Sequence, residues 1–303
     1  MIRATLRSYS LPLLGLLVLV AAAACSGLPR TVVPTATALP PSATPEPLAA
    51  EVNGERITLA EYEREVARYE IGQSSLGIDL ATTTEYRKTV LRAMIEERVV
   101  VQAALAEGLT VEDSALAQGV DRARAARGGD PQFTAWLTEM GYSVDEFSLA
   151  LKRQMLSRLI TDQVAGTVAS KAEQVHAAHI MVATHSVADE VLLNIASGAD
   201  FAEMARVYSQ DLSTQAGGGD LGWFPRGVLA VPEVEVAAFA LQPGEVSTVI
   251  SATDGFHIVQ TRERESERQL SAAALETLRR NAIRRWIDEH VAAAELQVLV
   301  ALP

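Results

Sequence analysis

The spacing of apolar positions changes twice along the chain and divides its ordered part into three stretches. Between residues 51 and 172 apolar side chains recur three or four apart, the period of a helix with one buried face. Tyr62, Val66 and Tyr69 form one stripe, and Tyr86, Val90, Met94, Val101 and Leu105 a longer one. Phe133, Trp136, Leu137 and Met140 form a third, and Phe147, Leu151, Met155 and Leu159 a fourth. Thr58 with Glu61, and Ser143 with Glu146, have the spacing of capping boxes at helix starts. Gly108 suits a helix end, while Gly128-Gly129-Asp130-Pro131 breaks one helix and opens the next. Ahead of these helices, Asn53-Gly54 between Val52 and Ile57 predicts a small hairpin.

From Val175 the pattern shortens to strand-length apolar runs separated by turns. Val175–Val182 reads as a buried strand. A helix from Ser186 to Ala196 and a second over Phe201–Tyr208, capped by Asp200 with Glu203, come next. Gly217-Gly218-Gly219 permits a tight turn into a strand at Leu221–Phe224, and Pro232 fits the first turn of a short helix through Phe239. Val246–Ile250 reads as a strand, and Thr253-Asp254-Gly255 as a hairpin turn into Phe256–Thr261. The order is β-α-α-β-α-β-β. Glu263–Arg268 reads as a charged hinge, Ser271–Glu295 as a helix with Leu275, Leu278, Trp286 and Val291 near one face, and Leu296–Leu302 as a terminal strand. A lone terminal helix and strand need a partner, and the helical stretch at 51–172 is the natural one.

The first fifty residues add a destination. Arg3 and Arg7 precede the almost wholly apolar Leu11–Ala24, too short to span a bilayer and suited to a signal peptide. Ala22-Ala23-Ala24-Cys25 resembles a bacterial lipobox, which implies that Cys25 becomes the lipidated first residue of the mature protein. The alternative is a plain secretory signal with an incidental cysteine. Thr31–Pro47, with five prolines, favours extended conformations and reads as a tether.

Composition narrows the functions. A net charge of −12, with aromatics at 5 %, argues against a nucleic-acid surface. A single cysteine excludes an intrachain disulfide framework. His176 and His179 are three apart, so along a strand they point to opposite faces and cannot share a metal ion. The glycine run is not a phosphate loop, because no lysine follows it and it opens a strand rather than a helix.

The landmarks His179 in its strand, Tyr208-Ser209-Gln210-Asp211, Gly217-Gly218-Gly219-Asp220-Leu221-Gly222 and Asp254-Gly255-Phe256-His257 resemble the parvulin family of peptidyl-prolyl cis/trans isomerases. The resemblance implies a four-stranded, mainly antiparallel sheet with helices packed on it. It places His179 and His257 on neighbouring central strands as a hydrogen-bonded catalytic pair, with Asp211 polarising the substrate near its carbonyl. Leu221, Phe224, Leu229, Val234 and Phe239 are then the proline pocket, and the smaller Val234 implies a wider slot and a lower rate. No metal and no cofactor are expected, since the reaction twists an amide without breaking a bond. No arginine or lysine cluster follows His179, so no preference for phosphoserine-proline is expected.

The opening Val-Asn-Gly-Glu and the Gly-Tyr-Ser-Val-Asp-Glu-Phe segment resemble PrsA/SurA-type foldases. The fold class expected is therefore α+β, a parvulin-like module inserted in an all-α foldase body. The expected division is 1–24 signal peptide; 25–50 lipidated cysteine and tether; 51–172 helical body; 173–264 isomerase module; and 265–303 helix and strand packing on the body. The resemblance implies an extracytoplasmic isomerase, lipid-anchored to a bacterial cell membrane, acting on unfolded or nascent exported polypeptides with X–Pro bonds. The alternative is a holdase chaperone with an inactive parvulin module. A homodimer stays open.

Overall fold

The computed structural model describes residues 46–80 and 84–301. The signal peptide, the lipidation site at Cys25 and nearly all of the tether lie outside the described residues. Strands β1 (Leu48–Val52) and β2 (Glu55–Thr58) pair antiparallel around Asn53 and Gly54, both at positive φ (51° and 81°) as the primed hairpin turn needs. The Thr58 hydroxyl accepts the Glu61 amide and starts α1 (Leu59–Ser75). Helices α2 (Glu85–Ala106), α3 (Asp113–Ala126), α4 (Asp130–Glu139) and α5 (Val144–Gly166) follow. The Ser143–Glu146 capping box forms reciprocally at the start of α5.

In the middle of this body lies a buried charge. Arg98 on α2 is 2 % exposed and meets the carboxylates of Glu55, Glu61 and Glu97. Glu61 thus turns inward to Arg98 and Arg153 instead of back to the cap of its own helix.

The second sheet is built from β3 (Lys171–Val182), β4 (Asp220–Pro225), β5 (Ile250–Ala252) and β6 (Gly255–Gln269), all antiparallel in the order β4-β3-β6-β5. Helices α6 (His185–Ala196) and α7 (Phe201–Tyr208) cover one face, packing on Ala178, Ile180, Val182 and Ile258. Helix α8 (Pro232–Ala240) covers the other, over Val175, Ala177 and Val259. Alternate residues of β3 therefore serve two separate cores. The Thr261 hydroxyl donates to the Ala238 carbonyl at 2.6 Å, and Arg264 to those of Phe239 and Leu241 at 2.7 and 2.8 Å, which satisfies carbonyls at the end of α8.

Further expectations are corrected. The charged segment Glu263–Arg268 is not a hinge but a continuation of β6, paired with the first half of β3. Beyond the end of β4 only β3 and β6 continue, as a short two-stranded ribbon held by polar pairs, among them Gln174 Nε2 donating to the Arg268 carbonyl at 2.9 Å. Val246–Ile250 does not form a strand: Val246 makes an isolated bridge to Gln260, and regular pairing begins at Ile250. The Ser247 hydroxyl takes the Val259 amide there and so replaces a ladder bond. The start of α6 is capped by Thr184, two residues before the expected Ser186.

Helix α9 (Ala272–Ala293), capped by Ser271, returns to the body. Trp286 and Ile287 pack on Val100, Ala104, Leu156 and Ile160. Strand β7 (Leu296–Val298), shorter than expected, pairs with β1, and the first sheet reads β2-β1-β7.

Candidate active site

Strand β4 stops pairing with β3 at Ala178, and the loop from 209 to 219 takes its place beside the remainder of β3. The His179 amide donates to the Gly219 carbonyl at 2.8 Å, and the Gln210 amide to the Met181 carbonyl at 2.7 Å. The Ser209 hydroxyl accepts the Met181 amide at 3.2 Å. The backbone groups left by β4 are thereby satisfied, and Asp211 is carried to the side chain of His179. The glycines are required. Gly218 and Gly219 have φ of 71° and 75°, and a Cβ on Gly219 would lie 2.1 Å from the His179 carbonyl oxygen.

The three residues expected to act together meet. His179 Nε2 lies 2.7 Å from Asp211 Oδ2, and its Nδ1 lies 3.3 Å from Nδ1 of His257. The imidazole centres are 5.5 Å apart and their planes lie within 21°. Ring centres that far apart with nitrogens that close mean the rings meet edge to edge, nearly coplanar. His257 is fully buried and His179 is 7 % exposed.

Asp211 is held from several sides. Ser213 donates its backbone amide (3.0 Å) and hydroxyl (2.6 Å) to Oδ1, and the Thr214 hydroxyl donates to Oδ2 at 2.6 Å. Burial alone would raise this carboxyl; hydrogen bonds from Ser213, Thr214 and His179 overcome it and hold the group well below the ordinary carboxylate range. Burial pushes His179 below the ordinary histidine value, against the pull of Asp211. At neutral pH the site presents an anionic Asp211 beside a neutral His179.

The five apolar residues expected in the pocket share one cluster on the α8 face. Phe224, Val234 and Phe239 are buried, with Phe224 and Phe239 in edge-to-face contact at 6.0 Å. Leu221 and Leu229 are half-buried, so they carry the accessible apolar surface. His176 stands apart, with Nε2 2.9 Å from Asp220 and Nδ1 3.3 Å from Glu263, against Trp223.

Sequence reasoning missed Ser209, Ser213, Thr214 and Asp254. The first three are legible in retrospect as hydroxyls flanking Asp211, the composition of a turn folded around a carboxylate. Asp254, read only as a turn residue, lies 3.0 Å from His257 Nε2.

The chemistry available is polar and apolar at once. A pair of imidazoles and a fixed carboxylate lie on the sheet face that also carries apolar surface.

Residues 179–263 match the model of the PPIC-type PPIASE domain, so the module is a parvulin-type peptidyl-prolyl cis/trans isomerase domain. Residues 1–161, more than half of the chain, match the model of the SurA-like N-terminal domain, and the chain belongs to that family. Among relatives, foldase protein PrsA of Caldanaerobacter subterraneus subsp. tengcongensis is 27 % identical over 274 residues, covering 82 % of this chain and 86 % of that protein. Chaperone SurA of Dechloromonas aromatica is 42 % identical over 134 residues, 41 % of this chain and 30 % of that protein. The crystal structure of peptidylprolyl isomerase PrsA from Bacillus anthracis aligns over 67 % of this chain and 94 % of its own, with 24 % identity and a TM-score of 0.46.

Proposed function

We propose that this chain isomerises X–Pro bonds in exported, unfolded polypeptides, with Asp211, His179 and His257 as the polar centre and Leu221 and Leu229 at the mouth of the proline slot. The observation that carries the reading is the continuous hydrogen-bonded line from Asp211 through His179 to His257 on the sheet face that bears this apolar cluster. The barrier is the partial double bond of the amide, about 18–20 kcal/mol. In the twisted transition state the carbonyl oxygen carries less negative charge than in the conjugated ground state. A carboxylate fixed beside it therefore opposes the ground state more than the transition state, which is what catalysis requires. The imidazole pair holds Asp211 in place, and no covalent step is needed.

The body has a complementary part. Helices α1, α2 and α5 enclose a cleft of about 430 Å³ with Tyr69, Val90 and Met94 on its apolar side and Glu65, Glu97 and Arg153 on its polar side, which suits an unfolded segment of mixed character. Residues 51–172 and 265–303 form this body in the proposal, apart from the ends of β3 and β6 (171–172 and 265–269), which pair with each other in the module's sheet; 173–264 is the catalytic module, 1–24 the signal and 25–50 a tether lipidated at Cys25. Among the described residues no helix is long and apolar enough to cross a membrane. Metabolic labelling with a fatty acid is expected to mark the wild type and not Cys25→Ala; equal labelling removes the anchor.

The deciding assay is proline-limited refolding, whose uncatalysed slow phase lasts tens of seconds. The protein is expected to accelerate that phase, and Asp211→Ala to lose at least about tenfold of the rate, some 1.4 kcal/mol of transition-state stabilisation. Suppressed aggregation with an unchanged slow phase would leave a holdase only.

A further inference from the structure

The far end of the imidazole line is a second carboxylate. Asp254, in the turn between β5 and β6, places Oδ1 3.0 Å from His257 Nε2. Gly255 makes this turn, with φ of 146° and room for a hydrogen only, since a Cβ there would lie 2.8 Å from the Val182 carbonyl oxygen. The line therefore reads Asp211, His179, His257, Asp254. Among the described residues, the charged groups hydrogen-bonded to the pair are these two aspartates, from the loop after α7 and from the β5–β6 turn.

Counting protons along that line gives a definite answer. Each Nε2 faces a carboxylate oxygen, so each must carry hydrogen and donate. The Thr214 hydroxyl cannot substitute on the Asp211 side, because its single hydrogen goes to Asp211 Oδ2. The two Nδ1 atoms face each other at 3.3 Å. With two protons in all, both Nδ1 atoms would present lone pairs to each other. Moving one of those protons from Nε2 to Nδ1 would instead turn a lone pair towards a carboxylate. Either arrangement sets like against like. A third proton between the Nδ1 atoms removes the conflict and leaves one positive charge between two anions.

We propose that Asp254 is a positioning residue of the isomerase site: it holds His257 as the doubly protonated partner, so that His179 stays neutral, accepts at Nδ1 and donates at Nε2 to Asp211. The assignment of the neutral ring to His179 agrees with burial pushing that group down. An ionised Asp254 agrees with the His257 hydrogen bond lowering its carboxyl. Its function is to fix the direction of the whole line, and through His179 the orientation of Asp211. The inference rests on the reading of this site as the isomerase centre, but the proton count can be measured without substrate.

The test is nitrogen-15 NMR of the histidines in the full mature chain, with isomerisation followed against pH. Wild type at pH 7 is expected to show both His257 nitrogens protonated and His179 protonated at Nε2 alone. Asp254→Asn, which keeps an acceptor and removes the charge, is expected to lose the third proton at a lower pH than the wild type, because an anion no longer favours the charged pair. The alkaline limb of its isomerisation profile should move by the same amount, and Asp254→Glu should restore it. A wild type with one proton on each ring at pH 7 overturns the inference. So does an Asp254→Asn protein whose activity falls by one factor at every pH, since that is the signature of a merely structural residue. Three protons on the pair without any isomerisation would instead leave the inference standing and remove the proposed function.

Discussion

The substitution Gly219→Ala isolates the contact on which the site depends. A Cβ at this position would meet the His179 carbonyl oxygen at 2.1 Å and its carbon at 3.1 Å, both backbone atoms of a central strand. Neither can swing aside as a side chain would. The residue also sits at φ 75°, where an L side chain costs about 1–2 kcal/mol. Relieving the overlap strains the loop by about 1–3 kcal/mol more. The bond from the His179 amide to the Gly219 carbonyl, 2.8 Å, is weakened in the process and contributes about 1 kcal/mol. The sum is about 3–6 kcal/mol, a fall in Tm of about 6–24 °C for a chain of this size. Gly217 is the internal control: two residues earlier, with nothing within 4 Å of its virtual Cβ and no positive φ, it should accept alanine within about 0.5 kcal/mol. Thermal unfolding followed by tryptophan emission measures both, and proline-limited refolding measures activity. Because displacing His179 by about 1 Å can cost on the order of a hundredfold, folded Gly219→Ala protein at low temperature should be nearly inactive. A Tm within about 2 °C of the Gly217→Ala control would refute the argument from close approach.

Acid titration provides a second prediction, since the Asp211 carboxyl lies well below its ordinary value of 3.8 in the fold. A depressed folded-state value stabilises the protein above the unfolded value, near pH 4, and that stabilisation disappears as pH falls through the folded one. Wild type should therefore exceed Asp211→Asn in stability at pH 7, with the two unfolding curves converging towards pH 2; a constant gap between them sinks the assignment. In the helical body, Arg98→Ala leaves Glu61 and Glu97 without their buried cation, and burial already raises the Glu97 carboxyl against the pull of Arg153 and Arg98. Chemical denaturation should show a loss of about 3–5 kcal/mol. Arg98→Met, which fills the space, should lose less.

Much of the architecture was legible because local signals and global packing agree. Asn53-Gly54, the Ser143–Glu146 box and Asp200 with Glu203 each fix an element boundary by a hydrogen bond between neighbours in sequence. The errors fall where a long-range partner overrides composition. Glu263–Arg268 has the charge density of a linker, yet the first half of β3 supplies a partner strand that polarity alone cannot announce. Val246–Ile250 has the composition of a strand, but the side chain of Ser247 interrupts the ladder. In the site, His179, His257 and Asp211 stood out as residue types in a family pattern. Asp254 did not, because an aspartate before a glycine is explained by the turn itself, and its second role exists only once β6 turns the His257 ring back towards it.

The same long-range logic governs the apolar side of the site. Leu229 lies on a loop that would be loose if only its ends held it. The Glu235 carboxylate accepts the amides of Gly227 at 2.8 Å, Val228 at 3.2 Å and Leu229 at 3.3 Å, gathering the loop onto the first turn of α8. From outside the module, Asn281 on α9 donates to the Gly227 carbonyl at 2.8 Å. Leu278, one turn earlier on α9, leaves no slack, since a Cβ on Gly227 would come within 3.3 Å of it. The helix that packs Trp286 and Ile287 into the body thus also pins a loop of the proposed proline slot. The polar line is organised by its own strands and loop, whereas the apolar slot is shaped partly by the chain that follows β6.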